Sequence, residues 1–234
     1  MNIRTIILAA SALIMSAAVN AQTVVTVFIH GTIAPGAVVF SPIGLAKQKL
    51  GKNTLYGKIA DKTRKDLGMR EDWPLPDEGM IEITPEILEQ YHAMTLDKSL
   101  GKFAAYQLVG AYNYFEKNLN PNNDYRYFFF GYNGLLDETE RVEAGKALYK
   151  ELVNIRKQYD SEAPIFNIVG HSHGGTVGLY TDYGVREKND PEISINDLIM
   201  LGTPLQKGQE HLIASPFFNR IFNIYSLGDA MQKK

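Results

Sequence analysis

Five short apolar runs along the chain predict strands, because β-branched and aromatic residues dominate them and turn residues follow each one. These runs are residues 23–29, 125–130, 165–169, 195–201 and 220–225. Between them, apolar residues recur at helical spacing, most clearly from Ser99 to Asn118 and from Asp137 to about Tyr159. This alternation predicts an α/β fold, a doubly wound and mostly parallel sheet with helices on both faces.

Residues 33–121 depart from the regular alternation of strands and helices. Prolines interrupt their first part, Thr84-Pro85 predicts a helix start, and Leu108, Ala111 and Phe115 lie on the predicted buried face of the long helix. We interpret this stretch as a largely helical insertion after the first strand. Such a segment above the strand ends serves as a lid or substrate-binding surface, and the alternative is a helical layer that only covers the sheet.

The first 21 residues predict a signal peptide that is not part of the fold. Arg4 supplies a positive charge, Thr5 to Val19 is apolar, and Val19-Asn20-Ala21 fits a cleavage site with small or apolar groups at the recognised positions. A membrane anchor is the alternative, but the apolar run is shorter than the roughly 20 residues that span a bilayer. We therefore expect an exported protein, periplasmic or secreted, with one domain over residues 22–234.

Composition and charge exclude several classes of function. The chain has 24 Lys and Arg against 26 Asp and Glu, a net charge of −2 with no basic stripe, so nucleic acid is not an expected partner. It has no cysteine, which rules out disulfides, a thiol nucleophile and thiolate metal sites. Its five histidines form no H-E-x-x-H pattern, so a zinc site has little support. The sequence implies no metal and no cofactor.

The strongest candidate for chemistry is the segment Gly170-His171-Ser172-His173-Gly174, which we call the elbow. It fits G-x-S-x-G, in which a serine occupies a sharp strand-to-helix turn and the glycines avoid clashes around it. The amino terminus of the following helix directs free N–H groups at negative charge that develops near the serine. The alternative is a glycine-rich turn without chemistry, but a buried strand before it and a helix after it are the context that the motif requires.

Other distinctive segments also follow predicted strands directly. They are His30-Gly31-Thr32, Gly131 to Gly134, Gly202-Thr203-Pro204 and Asp229. The carboxyl ends of parallel strands meet at one edge of a sheet, so we expect these segments to gather around Ser172. Gly31 would let the loop backbone approach a bound carbonyl group, and we expect His30 to brace this loop and not to transfer protons.

Four segments together resemble the α/β-hydrolase superfamily, in particular its lipase- and esterase-like members. They are residues 28–32, 130–134, 170–175 and 201–204. The resemblance implies that Ser172 is the nucleophile and Asp229 the catalytic acid. It implies that the backbone N–H groups of Thr32 and His173 form the oxyanion hole. The implied reaction is acyl transfer from a carboxylic ester or lipid to water, with contact to a membrane surface if residues 33–121 form an apolar lid.

The resemblance leaves one member of the triad without a residue. In the family a histidine that follows the acid takes the proton of the serine, but only residues 230–234 follow Asp229 here. Three interpretations stay open: a truncated copy of a longer hydrolase, His211 as a substitute base, or a fold that has lost its chemistry. His171 and His173 are poor bases, because near neighbours on a tight turn point away from the hydroxyl. The competing class of function is a non-catalytic binding protein that uses the same cleft.

Overall fold

A computed structural model describes residues 21–31, 58, 78–87, 104–160, 162–188 and 192–225. Its elements in chain order are β1 (Thr23–Ile29), β2 (Gly79–Glu82), α1 (Ala104–Leu119), β3 (Asp124–Gly131), α2 (Glu138–Arg156), β4 (Ile165–His171), α3 (His173–Lys188), β5 (Ile195–Leu201), α4 (Glu210–Ile213) and β6 (Phe218–Ile224).

One sheet contains all six strands, in the order β2-β3-β1-β4-β5-β6. Every neighbouring pair is parallel except β2 and β3, which pair antiparallel at one edge. The chain steps from β1 to β3 in one direction and from β3 through β4 and β5 to β6 in the other. Because crossovers between parallel strands are right-handed, this reversal places helices on opposite faces of the sheet. The predicted doubly wound, mostly parallel sheet is therefore confirmed.

An apolar core lies on each face of the sheet. Alternate residues of β1 supply both cores, since successive side chains of a strand point to opposite faces. Val25, Val27 and Ile29 pack in the core that α2 and α3 cover, whereas Phe28 packs in the core that includes Val109 of α1. The helices thus cover both faces, as the sequence predicts, and the central strands β1 and β4 are buried on both sides.

The predicted buried face of α1 is wrong. Ala111 and Phe115 are exposed, and of the predicted residues Leu108 packs against the core together with Val109 and Tyr112, which are not predicted to do so. The helix carries apolar side chains on more than one side, so hydrophobic periodicity admits two faces about 100° apart. Contact with Phe28 selects between them, since its ring packs edge-on against Tyr112 with 5.4 Å between centroids.

The described part of the predicted insertion contains a strand as well as helices. β2 is not predicted from the sequence, because four residues that are mostly half exposed carry too little alternation to distinguish them from a loop. The predicted helix start at Thr84 is confirmed, since residues 85–87 are helical and the Thr84 hydroxyl accepts a bond from the Ile87 N–H. Most of residues 33–121, and with them the question of a lid, lies outside the described residues.

Helix α2 begins and packs as its sequence predicts. The Asp137 carboxylate caps it by accepting a hydrogen bond from the Glu140 N–H at 3.2 Å. Gly145 lies where α2 crosses α3, and a side chain there would come within 2.6 Å of the Tyr180 backbone. This close approach fixes α3, and with it the turn at its amino terminus, against the rest of the fold.

Candidate active site

Ser172 lies on the tight turn between β4 and α3. Its φ is +52°, the only positive value at a non-glycine residue in the described part of the chain. The Ser172 N–H donates to the Leu201 carbonyl oxygen at 2.8 Å, and the Gly175 N–H donates to the Ser172 carbonyl oxygen at 3.1 Å. A serine in the left-handed region costs backbone energy, and such strain is found mainly at functional sites. The side chain is half-buried, so it is reachable from this edge of the sheet.

Glycines around Ser172 are required because backbones touch there. A Cβ atom at Gly170 would overlap the backbone of Gly175, and one at Gly174 would overlap the carbonyl oxygens of Ile29 and His30. A Cβ at Gly31 would lie only 2.9 Å from the Ser172 Cβ. The end of β1 therefore runs directly against the elbow, as the predicted strand–turn–helix arrangement requires.

The described parts of the predicted strand-end segments lie at one edge of the sheet. A Cβ at Gly175 would overlap the Thr203 hydroxyl, so the loop after β5 also contacts the first turn of α3. The His30 ring stacks on Tyr132, which follows β3, with 4.6 Å between ring centroids. Its Nδ1 lies 2.6 Å from the Gly31 carbonyl oxygen, and its Nε2 lies 3.2 Å from that of Tyr132. His30 thus ties two loops together through backbone groups, which is the bracing role expected of it.

The two predicted oxyanion donors differ in how far the structure describes them. His173 is the first residue of α3, so its N–H is one of the amino-terminal groups that have no partner within the helix. Thr32 lies outside the described residues. The residue before it, Gly31, lies against Ser172, since a Cβ there would come within 2.9 Å of the Ser172 Cβ.

The His173 side chain is a weak base in this setting. Burial, with a smaller contribution from the positive charge of Arg141, lowers the pKa of His173 to about 4. Its Nδ1 is buried, and no described residue forms a hydrogen bond with it. The imidazole is therefore neutral at neutral pH and holds a proton poorly, in agreement with the expectation that His173 does not serve Ser172 as a base.

The predicted acid, Asp229, also lies outside the described residues. The strand that precedes it ends close to the site, because Leu201 pairs with both His171 of β4 and Ile224 of β6. Two strand spacings, about 10 Å, separate β6 from β4.

The predicted substitute base, His211, lies away from the elbow. It is an exposed residue of α4, with Nδ1 2.8 Å from the Gly208 carbonyl oxygen and Nε2 3.4 Å from the Tyr183 hydroxyl. Tyr183 follows His173 on α3 by ten residues, about 15 Å of helix rise. The structure does not bring His211 and Ser172 together, and nothing in this placement supports a role for His211 as the base.

We therefore expect that His211→Ala leaves the reactivity of Ser172 unchanged, to within about twofold. The measurement is the rate at which a fluorophosphonate probe labels the variant and the wild-type protein, followed by intact mass. A loss of labelling in a variant that keeps its circular dichroism spectrum would show that His211 reaches the serine after all.

Two cavities flank the sheet at opposite edges. The larger, about 690 Å³, lies at the amino ends of the strands and is lined by residues such as Ala163, Ser194 and Phe217. The smaller, about 210 Å³, lies beside the end of β3, where Tyr132 and Asn133 line it. Ser172 lines neither cavity. Because chemistry in a parallel sheet collects at the carboxyl ends of the strands, the geometry of the elbow locates the candidate site better than cavity size does.

Comparisons with known protein families, with curated proteins and with solved structures found no match for this chain. Within the described residues, no helix is both long and apolar enough to cross a membrane. The elbow, its neighbouring loops and the sequence motif are therefore the features from which a function can be inferred.

Proposed function

We propose that the protein is an exported serine hydrolase that acts on carboxylic esters, of the lipase or esterase type found in the α/β-hydrolase superfamily. One observation carries the proposal: Ser172 occupies a left-handed turn between a buried parallel strand and a helix amino terminus, with the end of β1 against it. A turn of this kind is costly, and exposing a nucleophile above a sheet is the use that explains its cost.

The reaction that this arrangement supports is acyl transfer to water. The Ser172 hydroxyl attacks the ester carbonyl carbon, and the carbonyl oxygen becomes an oxyanion. The His173 N–H at the start of α3, with the Thr32 N–H as its proposed partner, stabilises that charge before the alcohol leaves. Water then hydrolyses the acyl-serine. Asp229 is the proposed acid that orients a base.

No residue is assigned as the base that takes the proton of Ser172. His30 is engaged with backbone, His173 is a weak base, His171 is exposed beside the turn, and His211 lies beside Tyr183. His92 is the one histidine outside the described residues. The next variant to test, if Ser172 proves reactive and His211→Ala keeps that reactivity, is therefore His92→Ala.

The test is hydrolysis of a short-chain aryl ester by residues 22–234 and by the Ser172→Ala variant. We expect the variant to lose the enzyme-catalysed rate, because no other group in the proposed mechanism can form the acyl intermediate. Equal rates for the two proteins would mean that Ser172 takes no part. A further comparison, of monomeric against micellar substrate, separates an esterase from a lipase with an apolar lid.

A second candidate function is binding without catalysis in the same cleft. The observation that favours it is that the Ser172 hydroxyl makes no hydrogen bond to any histidine in the described part of the chain. Ester or lipid binding that is equally tight in the wild type and in Ser172→Ala, with no turnover in either, would support this candidate over the hydrolase.

Export is part of the proposal because the predicted cleavage site adjoins the first strand. Ala21 and Gln22 are exposed, and β1 begins at Thr23. The Gln22 N–H donates to the Asn123 side chain, a bond that the new terminal amine after cleavage can still form. Amino-terminal sequencing of the protein recovered from its native compartment tests this boundary, and retention of residues 1–21 would contradict it.

A further inference from the structure

Arg141 of α2 is a buried charge without a counterion among the described residues. Only 1% of its surface is exposed. Its Nη1 donates to the Leu136 carbonyl oxygen at 2.6 Å, whereas its Nε is buried and has no hydrogen-bond partner among the described residues. No carboxylate in the described part of the chain forms an ion pair with it.

Such a residue is costly to keep for stability alone. Removing a guanidinium from water is repaid only when anions and hydrogen bonds surround it, and replacement of buried charges by apolar side chains of similar volume often stabilises a protein. The hydrogen bond from Arg141 to Leu136 goes to a neutral carbonyl group. The packing of α2 therefore does not explain why a charged residue is buried at position 141.

The positive charge of Arg141 lies near the amino-terminal part of α3, which begins at the elbow. Gly145 and Tyr149 of α2 lie against Tyr180 and Gly184 of α3, so the two helices run parallel, and Arg141, one turn before Gly145, lies beside the first turns of α3. Glu138 accepts a hydrogen bond from the Tyr180 hydroxyl and keeps its negative charge, so it opposes Arg141 at Tyr180. Among the described residues, Arg141 is the one charged group that acts on His173.

We propose that Arg141 is a positioning residue for the elbow: its charge, which forms no ion pair among the described residues, supplies a fixed positive potential at the first turn of α3. This potential disfavours a second positive charge on His173 and favours negative charge on Ser172 and its oxyanion. The effect adds to that of the helix amino terminus, which has the same sign. It acts through the buried interior, where charges are screened less than at the surface. For Ser172, the inference rests on the proposed function.

The first test is nuclear magnetic resonance titration of the His173 ring in the wild type, in Arg141→Met and in Arg141→Lys. Methionine keeps much of the volume and removes the charge, and lysine restores the charge. We expect the pKa of His173 to rise from about 4 by roughly one pH unit in Arg141→Met and to stay low in Arg141→Lys. An unchanged His173 titration in Arg141→Met would overturn the inference.

The second test compares fluorophosphonate labelling rates with thermal stability in the same proteins. We expect labelling of Arg141→Met to be about tenfold slower, with a melting temperature equal to or above that of the wild type, and near-normal labelling of Arg141→Lys. If Arg141 only holds α2 in place, Arg141→Met will have a lower melting temperature but a normal labelling rate while it is folded. That result would overturn the inference. If the wild type takes no label, the proposed function fails, and the His173 titration alone then decides whether Arg141 sets the potential.

Discussion

Replacing Gly174 by alanine is expected to lower the free energy of unfolding by about 3 kcal/mol or more. The new Cβ would overlap the carbonyl oxygens of Ile29 and His30 at the end of β1. These are backbone atoms of the central strand of the sheet, buried on both faces and paired with β3 and β4. No rotamer change can relieve the clash, so α3 must separate from β1. Urea unfolding followed by circular dichroism measures the loss.

The matched control is Gly208→Ala. Gly208 lies just before α4, has a φ of +99°, and has no atom within 4 Å of the position its Cβ would take. Only backbone strain is added there, about 1 kcal/mol. A loss at Gly174 no larger than that at Gly208 would mean that the end of β1 does not lie against the elbow, and the site as described would be wrong.

The sequence predicts the elements of this fold well where the pattern is local. Five runs of β-branched and aromatic residues correspond to five of the six strands, and the Asp137 cap and the stripe along α2 lie where helical periodicity places them. Each of these features depends on neighbours within one turn or one strand. β2 and the buried face of α1 depend on partners far along the chain, and local periodicity does not determine them.

In the candidate site, too, some features follow from the local sequence and others depend on residues far along the chain. The left-handed Ser172 follows from the motif, because the glycines on either side specify the turn. The contact of Gly31 with Ser172 depends on the register that pairs Ile29 with Gly170, which no local pattern specifies. The placement of His211 beside Tyr183 likewise depends on how α4 packs against α3.

Arg141 is a functional candidate that the sequence motifs do not mark, although the sequence does carry a signal for it. It precedes Gly145, Leu148 and Leu152 at spacings of four, three and four, so it lies on the buried stripe of α2. A charged residue on such a stripe is unusual, because burying an unpaired charge is costly. A charge at a buried helical position is therefore a signal of function that helical periodicity alone can reveal.

Ser172 itself is the second residue whose replacement should have a large effect. A fluorophosphonate reacts with an activated serine by forming a P–O bond as fluoride leaves, so it reports nucleophilicity without knowledge of the natural substrate. We expect one label on each chain, and none in Ser172→Ala or Ser172→Gly, because loss of the nucleophile removes covalent chemistry altogether.

Glycine accepts a φ of +52° without strain, so Ser172→Gly should also unfold at an equal or higher urea concentration than the wild type. Higher stability together with lost reactivity is the behaviour expected where strain serves function.

The most direct test of the hydrolase proposal is the intact mass of residues 22–234 after fluorophosphonate treatment, measured beside Ser172→Ala and Ser172→Gly. The proposal predicts a stoichiometric mass increase in the wild type that is absent from both variants, which would mean that the chain contains the base that activates its serine. The proposal would be contradicted if the wild type took no label although its circular dichroism spectrum showed that it was folded. It would also be contradicted if the variants still took the label.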